Sequence, residues 1–159
     1  MTADFYRAVI SECDFSEAEA YLSELQNAPS DIVRKALLVA AIIAYARPFT
    51  NNELKKSSEA SSNVALINDD FLTDDQREMN KHIMTLRKKA IAHSEFSRNP
   101  VALGAVQENA IAFKVEPFDI LQENISPDLF LSLCRRRKKQ AMDTGFVAAQ
   151  VAGPEQDAL

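Results

Sequence analysis

The chain has 159 residues, a formal net charge of −5, 47% apolar residues and 26% charged residues, a size and composition typical of one globular domain. With three glycines and no tryptophan, it is a poor candidate for a turn-rich β-sandwich or a glycine-rich phosphate loop. The negative net charge argues against a surface that binds nucleic acid everywhere, but it allows a local basic site.

The two cysteines, Cys13 and Cys134, have neither metal-ligand spacing nor a disulfide framework, so we expect reduced thiols. The first residues lack a basic region followed by an apolar core. The longest apolar stretch, Ala36 to Ala46, is shorter than the roughly 20 residues that cross a bilayer. We therefore expect a cytoplasmic protein without a membrane segment, and we predict no metal and no cofactor.

Two helices are predicted in the N-terminal third of the chain. Ser16 and Glu19 have the spacing of a capping box, which predicts a helix from Ser16 to about Gln26. Ser30 is the expected N-cap of a second helix from Asp31 to about Arg47. Because the apolar run of this second helix has no polar interruption, we expect it at the centre of a bundle.

The residue composition changes twice in the middle of the chain. Residues 50–72 are rich in serine, asparagine and charge, and either a mobile connection or a short helix fits them. Thr73 and Gln76 form a second capping-box pattern that predicts a helix to about Ala92. Further on, Ile111, Phe113 and Val115 alternate with Ala112 and Lys114. With residues 101–106 as the partner strand, this pattern predicts a small β-hairpin.

The last predicted helix begins at Ser126-Pro127, an N-cap followed by proline at the first helical position. It should run to about Val151, before Gly153-Pro154. The predicted fold is an all-α, up-and-down helical bundle of about four to five helices with a small β-hairpin insertion. Residues 1–152 form its single domain, and residues 153–159 form a flexible C-terminal tail.

Arg87 and His93 are the candidate catalytic residues. At 100° per residue they border opposite margins of the apolar stripe on the helix that begins at Thr73. Histidine exchanges a proton near neutral pH, and arginine offers a planar set of donors to phosphate oxygens. The pair therefore suits RNA cleavage without a metal, and a dimer would supply a second histidine. The alternative is that both residues only pack and cap a helix end.

Further basic residues are candidates for phosphate or RNA binding. Lys88 and Lys89 follow Arg87. Lys89 and His82 could widen the same patch, or they could equally face solvent. Arg47 could line this cleft or only complement the dipole of a helix C-terminus. Arg137 falls within the apolar stripe of the last helix, where it must snorkel, pair with an acid or face a cleft.

Two segments resemble a known family. The segment from Leu86 to Glu95, Leu-Arg-Lys-Lys-Ala-Ile-Ala-His-Ser-Glu, resembles the signature of the HEPN superfamily, in which an arginine and a histidine near a helix end are separated by four to six residues. The segment from Tyr45 to Thr50, Tyr-Ala-Arg-Pro-Phe-Thr, is similar to one that precedes this signature in some uncharacterised bacterial members. The two segments occur in the family's order.

The resemblance implies an α-helical bundle, usually dimeric, often from toxin–antitoxin or phage-defence systems. Active members are metal-independent endoribonucleases, and others are inactive binding modules. Arg87 and His93 match the family's arginine and histidine, while Lys88 stands where asparagine or another short polar residue is most common. Two hypotheses follow. The first is a homodimeric RNase, with RNA and an antitoxin or other protein as partners. The second is a non-catalytic binding or regulatory module that acts through dimerisation or a protein partner.

Overall fold

The computed structural model describes residues 3–50, 68–88, 101–107, 110–115 and 118–152. Most of these residues belong to four helices: α1 (Ala3–Leu25), α2 (Asp31–Ala46), α3 (Asp74–Leu86) and α4 (Pro127–Ala152). Strands β1 (Val101–Gln107) and β2 (Ala110–Val115) pair in an antiparallel hairpin between α3 and α4 in the chain. Short 3-10 turns follow α2 at Arg47–Phe49 and precede α4 at Ile120–Gln122. The predicted helical bundle with a hairpin insertion is confirmed.

Helix α1 begins well before Ser16, so the predicted helix start at that residue was wrong. The Ser16 hydroxyl lies inside the helix and donates to Glu12 Oε1 at 2.9 Å, one turn earlier. No proline or glycine interrupts Ala3–Leu25. Phe15 and Ala18, on either side of Ser16, are fully buried. Packing on both sides of the serine keeps the helix continuous, and this outweighs a local capping pattern.

Helix α2 starts at the predicted cap but is not surrounded on all sides. The Val33 N–H donates to Ser30 Oγ at 3.4 Å, which confirms the N-cap. The buried positions lie in its second half, from Leu38 to Ala46, whereas Ile32 is 80% exposed. The prediction of a fully central helix was therefore wrong for the first half, which carries charged residues and faces solvent.

The starts of α3 and α4 are as predicted. The Gln76 N–H donates to Thr73 Oγ1 at 3.3 Å, and the Thr73 N–H donates to Gln76 Oε1 at 3.2 Å, which completes the capping box. At α4, the Leu129 N–H donates to Ser126 Oγ at 3.3 Å, with Pro127 at the first helical position. The β1–β2 register shifts between Leu103 and Val106, so a bulge bends the hairpin on β1.

Contacts between helices show that neighbours in the chain run antiparallel, as in an up-and-down bundle. As the residue number rises along α1 or α3, that of its contact on α4 or just before α4 falls, and α1 and α4 close the ring. Helix α1 meets the end of α2 through Asp14 and Arg47, and α2 meets α3 through the Tyr45 hydroxyl and Asn80. Helix α3 meets α4 through Gln76 and Ser132, and it meets the segment before α4 through His82 and Glu123. Helices α1 and α4 are joined by Glu19 with Arg135 and by Gln26 with Asp128.

An aromatic cluster forms the centre of the core. The Tyr45 ring lies 5.3 Å from the Phe130 ring and 5.5 Å from the Phe15 ring, centroid to centroid. These three residues come from α2, α4 and α1, so one cluster joins three helices. Burial raises the pKa of the Tyr45 hydroxyl far above its usual range. It therefore remains a neutral hydrogen-bond donor.

The first part of α1 and the last part of α4 extend past the level at which α2 ends and α3 begins. Arg47, after the end of α2, reaches only Asp14 and Glu17 of α1. Most of the exposed large apolar side chains in the described ranges lie on this extension. We call them the apolar tip: Tyr6, Val9, Ile10, Met142, Phe146, Val147 and Val151. Within those same ranges, no helix is long and apolar enough to cross a membrane.

Candidate nucleic-acid interface

Arg87 is held at the end of α3 by buried neighbours. Its N–H is shared between the carbonyls of Ile83 and Met84, so the backbone stays helical through this residue. Ile83 and Leu86 are fully buried. Their packing fixes the last turn, leaving the Arg87 side chain half-buried and that of Lys88 exposed. Two cations therefore emerge from a rigid helix end at the edge of the core.

Arg87 and Lys88 open into a groove of about 850 Å³, which we call the α3 groove. Its walls come from one side of α3 and from the segments after α2 and before α3. The lining residues are Phe49, Thr50, Asp69, Arg77, Asn80, Lys81, Met84, Thr85, Arg87 and Lys88. Arg77 and Lys88 are about 16 Å apart along the helix axis. The cationic side chains are thus spread along an elongated groove and are not clustered at one position.

Three of these cations have no carboxylate partner among the described residues: Lys81, Arg87 and Lys88. The fourth, Arg77, pairs with Asp74 and also donates to backbone carbonyls of the segment before α3. Elsewhere in the described part of the chain, most cations are paired with acids. In a chain of net charge −5, unpaired cations concentrated on one groove produce a local positive potential.

The acid within the groove is already neutralised. Asp69 Oδ1 accepts from the guanidinium of Arg137, and the Asp69 side chain is 52% exposed. Asn80, on the same wall, accepts from the Tyr45 hydroxyl at 2.6 Å. Phe49 and Met84 add apolar surface. The groove combines positive charge, amide donors and an aromatic ring, which are the groups that proteins use to bind single-stranded nucleic acid.

The structure corrects the prediction that Arg137 binds phosphate. Its side chain is 0% exposed, and its guanidinium donates to Asp69, to the Asn68 carbonyl at 2.6 Å and to the Tyr45 hydroxyl at 3.5 Å. The rings of Phe49 and Phe71 lie 5.2 and 5.5 Å from its guanidinium carbon. Arg137 is thus an internal ion-pair residue that ties α4 to the segment before α3.

Arg47 is likewise engaged within the bundle. Its guanidinium bonds to Asp14, at 3.0 Å, and to Glu17 on α1. The hydrogen bonds to Glu17 and Asp14 raise the pKa of Arg47, and the same contact lowers the pKa of Glu17. The structure therefore corrects the predicted phosphate contact, since Arg47 joins α2 to α1 through two carboxylates and does not line the α3 groove.

His82 lies on the other side of α3. Its Nε2 is 3.6 Å from Glu123 Oε2, and it lines a separate depression of about 330 Å³ with Asp75, Glu78 and Ser126 among its neighbours. These neighbours include carboxylates, so this side of the helix does not attract phosphate. The suggestion that His82 widens the patch around Arg87 was wrong.

Lys89 and His93 lie outside the described residues, as do residues 51–67. Arg87 and Lys88 are therefore the predicted site residues that the structure places in the groove. Lys81 and Arg77 were not predicted as site residues, although the positions 77, 81, 84, 85 and 88 repeat at helical spacing and mark one face. Within the described ranges, no group of three or more His, Cys, Asp or Glu residues could hold a metal ion.

Comparisons with protein-family models, with curated proteins and with solved structures gave no match to this chain.

Proposed function

We propose that this chain is a HEPN-like, metal-independent endoribonuclease that holds the RNA backbone in the α3 groove. Arg87 binds the phosphate at the reacting centre, Lys81 and Lys88 bind neighbouring phosphates, and His93 is the general acid/base. The observation that supports the proposal is the set of three cations without carboxylate partners, within the described residues, on one groove. A toxin or phage-defence protein is the biological setting that the HEPN resemblance implies, and the cytoplasm is its proposed location.

The chemistry requires only protein side chains. A histidine base takes the proton of a ribose 2′-hydroxyl, and the oxygen then attacks the adjacent phosphorus. The phosphorane carries extra negative charge, which the Arg87 guanidinium stabilises. The bond to the 5′ oxygen breaks, and that oxygen takes a proton, leaving a 2′,3′-cyclic phosphate and a 5′-hydroxyl. A homodimer would provide a second His93 for the final protonation, and Lys89 would add charge beside the site.

RNA binding tests the groove independently of catalysis. For three phosphate contacts on a single strand, the logarithm of the binding constant should fall with the logarithm of salt concentration with a slope of about −2. Replacing Lys81 or Lys88 by alanine should make that slope shallower by about 0.7 in a fluorescence anisotropy titration. Arg136→Ala is the matched control, because Arg136 is an exposed cation on α4 outside the groove. Equal slopes for all four proteins would refute RNA binding in the α3 groove.

RNA cleavage without added metal tests the enzyme. Wild-type protein should cleave a generic RNA in the presence of a chelator, whereas Arg87→Ala and His93→Ala should lose at least a hundredfold in rate. Arg136→Ala should cleave at the wild-type rate. Equal background cleavage by all four proteins would refute the proposed RNase activity. Growth arrest on expression of wild type, but not of His93→Ala, is a cheaper first test.

A second candidate is a non-catalytic RNA-binding module, which Lys88 favours. A lysine directly after Arg87 adds a cation where active HEPN members most often carry a short polar residue, and this strengthens phosphate binding more than it helps proton transfer. Salt-dependent binding through Lys81 and Lys88 without any His93-dependent cleavage would select this function. An antitoxin or other protein partner that covers the same cations would then act by blocking RNA.

A further inference from the structure

Two consecutive hydrogen bonds connect the core to the wall of the α3 groove. The buried Arg137 guanidinium donates from Nε to the Tyr45 hydroxyl oxygen at 3.5 Å. The Tyr45 hydroxyl in turn donates to Asn80 Oδ1 at 2.6 Å. Tyr45 is fully buried, whereas Asn80 is partly exposed and lines the groove. The core therefore reaches the groove through the side-chain amide of Asn80.

These contacts determine which way round the Asn80 amide lies. Arginine only donates hydrogen bonds, so the Tyr45 oxygen accepts in the first contact and its own proton remains for the second. Burial raises the pKa of Tyr45 far above its usual range, so that proton stays in place. With the amide turned round, the hydroxyl proton would be buried without an acceptor, which is costly. The 2.6 Å distance is also typical of an O–H···O bond and too short for an ordinary N–H···O bond.

The nitrogen side of the amide is what Asn80 presents to a ligand. Among the described residues, Asn80 Nδ2 has no hydrogen-bond partner, and Asn80 is the only amide side chain in the described lining of the groove. An asparagine commonly binds adenine through its oxygen and nitrogen together, at N6 and N7. Here the oxygen already accepts from Tyr45. Asn80 is therefore left with N–H groups that only donate.

We propose that Asn80 determines the base specificity of the α3 groove, and that it selects a keto base, uracil or guanine, over an amino base, cytosine or adenine. Uracil O4 and guanine O6 accept an N–H of Asn80, whereas the amino groups at the same ring positions of cytosine and adenine would meet it donor to donor. Tyr45 and Arg137 are positioning residues, because they act on the base through Asn80. This inference rests on the proposed function, in which the groove holds single-stranded RNA.

The other groups of the groove bind parts of RNA that all nucleotides share. Its cations bind phosphates, which carry no sequence information. Phe49 and Met84 offer apolar surface to ring faces that every base has. Asn80 and Arg87 are seven residues apart on α3, so about 10 Å separates them along the helix axis. The selected base therefore belongs to a nucleotide near the reacting phosphate, and base selection becomes a preference for the position of cleavage.

Binding of two oligonucleotides that cannot be cleaved tests the proposal. The probes are short 2′-O-methyl oligouridine and oligocytidine of equal length, which have equal charge and lack the attacking 2′-hydroxyl. In anisotropy titrations of the full chain, wild type should bind oligouridine about three- to tenfold more tightly, as expected for one hydrogen bond. The salt slope should be the same for both probes, because both carry the same phosphates. Asn80→Ala should reduce the affinity ratio to about one.

Tyr45→Phe tests the positioning role. Phenylalanine keeps the ring in the core but removes the hydroxyl, so the Asn80 amide can turn and the affinity ratio should fall toward one with an unchanged salt slope. Tyr21→Phe is the matched control, because it removes a hydroxyl that donates to Glu17 at 2.7 Å on α1, outside the groove. It should keep the wild-type ratio. Circular dichroism compares the folds, and Asn80→Ala, at a partly exposed residue, tests the specificity even if Tyr45→Phe does not fold.

The outcomes separate this inference from the proposed function. Equal affinity of wild type for both probes, with a salt slope of about −2, would overturn the inference and leave RNA binding in the groove intact. A preference for oligocytidine, which acceptor oxygens such as those of Asp69 would produce, or a uridine preference that survives Asn80→Ala, would also overturn it. A ratio that Asn80→Ala abolishes but Tyr45→Phe retains would overturn the role of Tyr45. If neither probe binds, the proposed function and this inference both fail.

Discussion

Replacing Arg137 by methionine is expected to destabilise the protein by about 2–3 kcal/mol. Removing one partner of a buried ion pair usually costs about 3–5 kcal/mol, because the other charge stays buried without compensation. Here the partner Asp69 is 52% exposed, so it can be rehydrated, and we take a value below that range. Methionine retains much of the arginine's volume, which limits the cavity between Phe49 and Phe71.

Chemical denaturation followed by circular dichroism measures the free energy of unfolding, and a thermal melt followed by the same signal measures the melting temperature. For a chain of 159 residues, a loss of 2–3 kcal/mol should lower the melting temperature by roughly 4–12 °C. Arg136→Met is the control, since the neighbouring side chain is exposed and should change the free energy of unfolding by about 0.5 kcal/mol or less. If Arg137→Met were as stable as Arg136→Met, the hydrogen bonds of the buried guanidinium would only offset its desolvation, and the reasoning would be refuted.

Further predictions concern local features. Thr73→Ala should lower the free energy of unfolding by about 1 kcal/mol because it removes a helix cap, whereas Ser16→Ala inside α1 should change it by less than about 0.5 kcal/mol; a larger loss at Ser16 would contradict its interior position. A thiol reagent should label one cysteine in the native protein and two after unfolding, because Cys13 is exposed while burial raises the pKa of the Cys134 thiol; fast native labelling of both would refute this. A hydrogen bond from Arg135 lowers the pKa of Glu19 below its ordinary 4.5. This ion pair therefore adds about 0.2–1 kcal/mol to the free energy of unfolding above pH 4.5, and that contribution is lost as the pH falls through the pKa of Glu19 in the folded protein. The stability difference between wild type and Glu19→Gln should therefore shrink from pH 6 to pH 3, and a constant difference would count against the ion pair.

Local signals predicted the helix starts at Ser30, Thr73 and Ser126, where a capping side chain and the following helix agree. The same type of signal failed at Ser16, because the buried residues on either side of it keep α1 continuous. A capping pattern is informative only where the chain before it cannot be helical. The residues before Ser16 contain no proline or glycine, so the sequence offered no reason for a break.

The candidate site was also predictable only in part, because local sequence patterns place a residue on a helix but do not show what it contacts. Periodicity alone placed Arg87 at a margin of the apolar stripe of α3. Periodicity also placed Arg137 within the apolar stripe of α4, but the acid that pairs with it could not be identified, since Asp69 comes from a distant part of the chain and only the tertiary fold brings the two together. The pairing of Arg47 with Asp14 and Glu17 likewise depends on how α1 lies against α2. Whether a cation is free or paired is a property of helix packing, which one sequence does not reveal.

The hydrogen bond from Tyr45 to Asn80 has a consequence for ligand selection. The side-chain oxygen of Asn80 accepts the hydrogen bond from the Tyr45 hydroxyl at 2.6 Å, so the two N–H donors of its amide group remain for a ligand. Lysine and arginine side chains also only donate. With Asp69 bound to Arg137, the wall of the α3 groove is therefore biased toward donors. Ligands rich in acceptor oxygens match this wall, whereas a ligand that must donate hydrogen bonds would leave its own groups unsatisfied there.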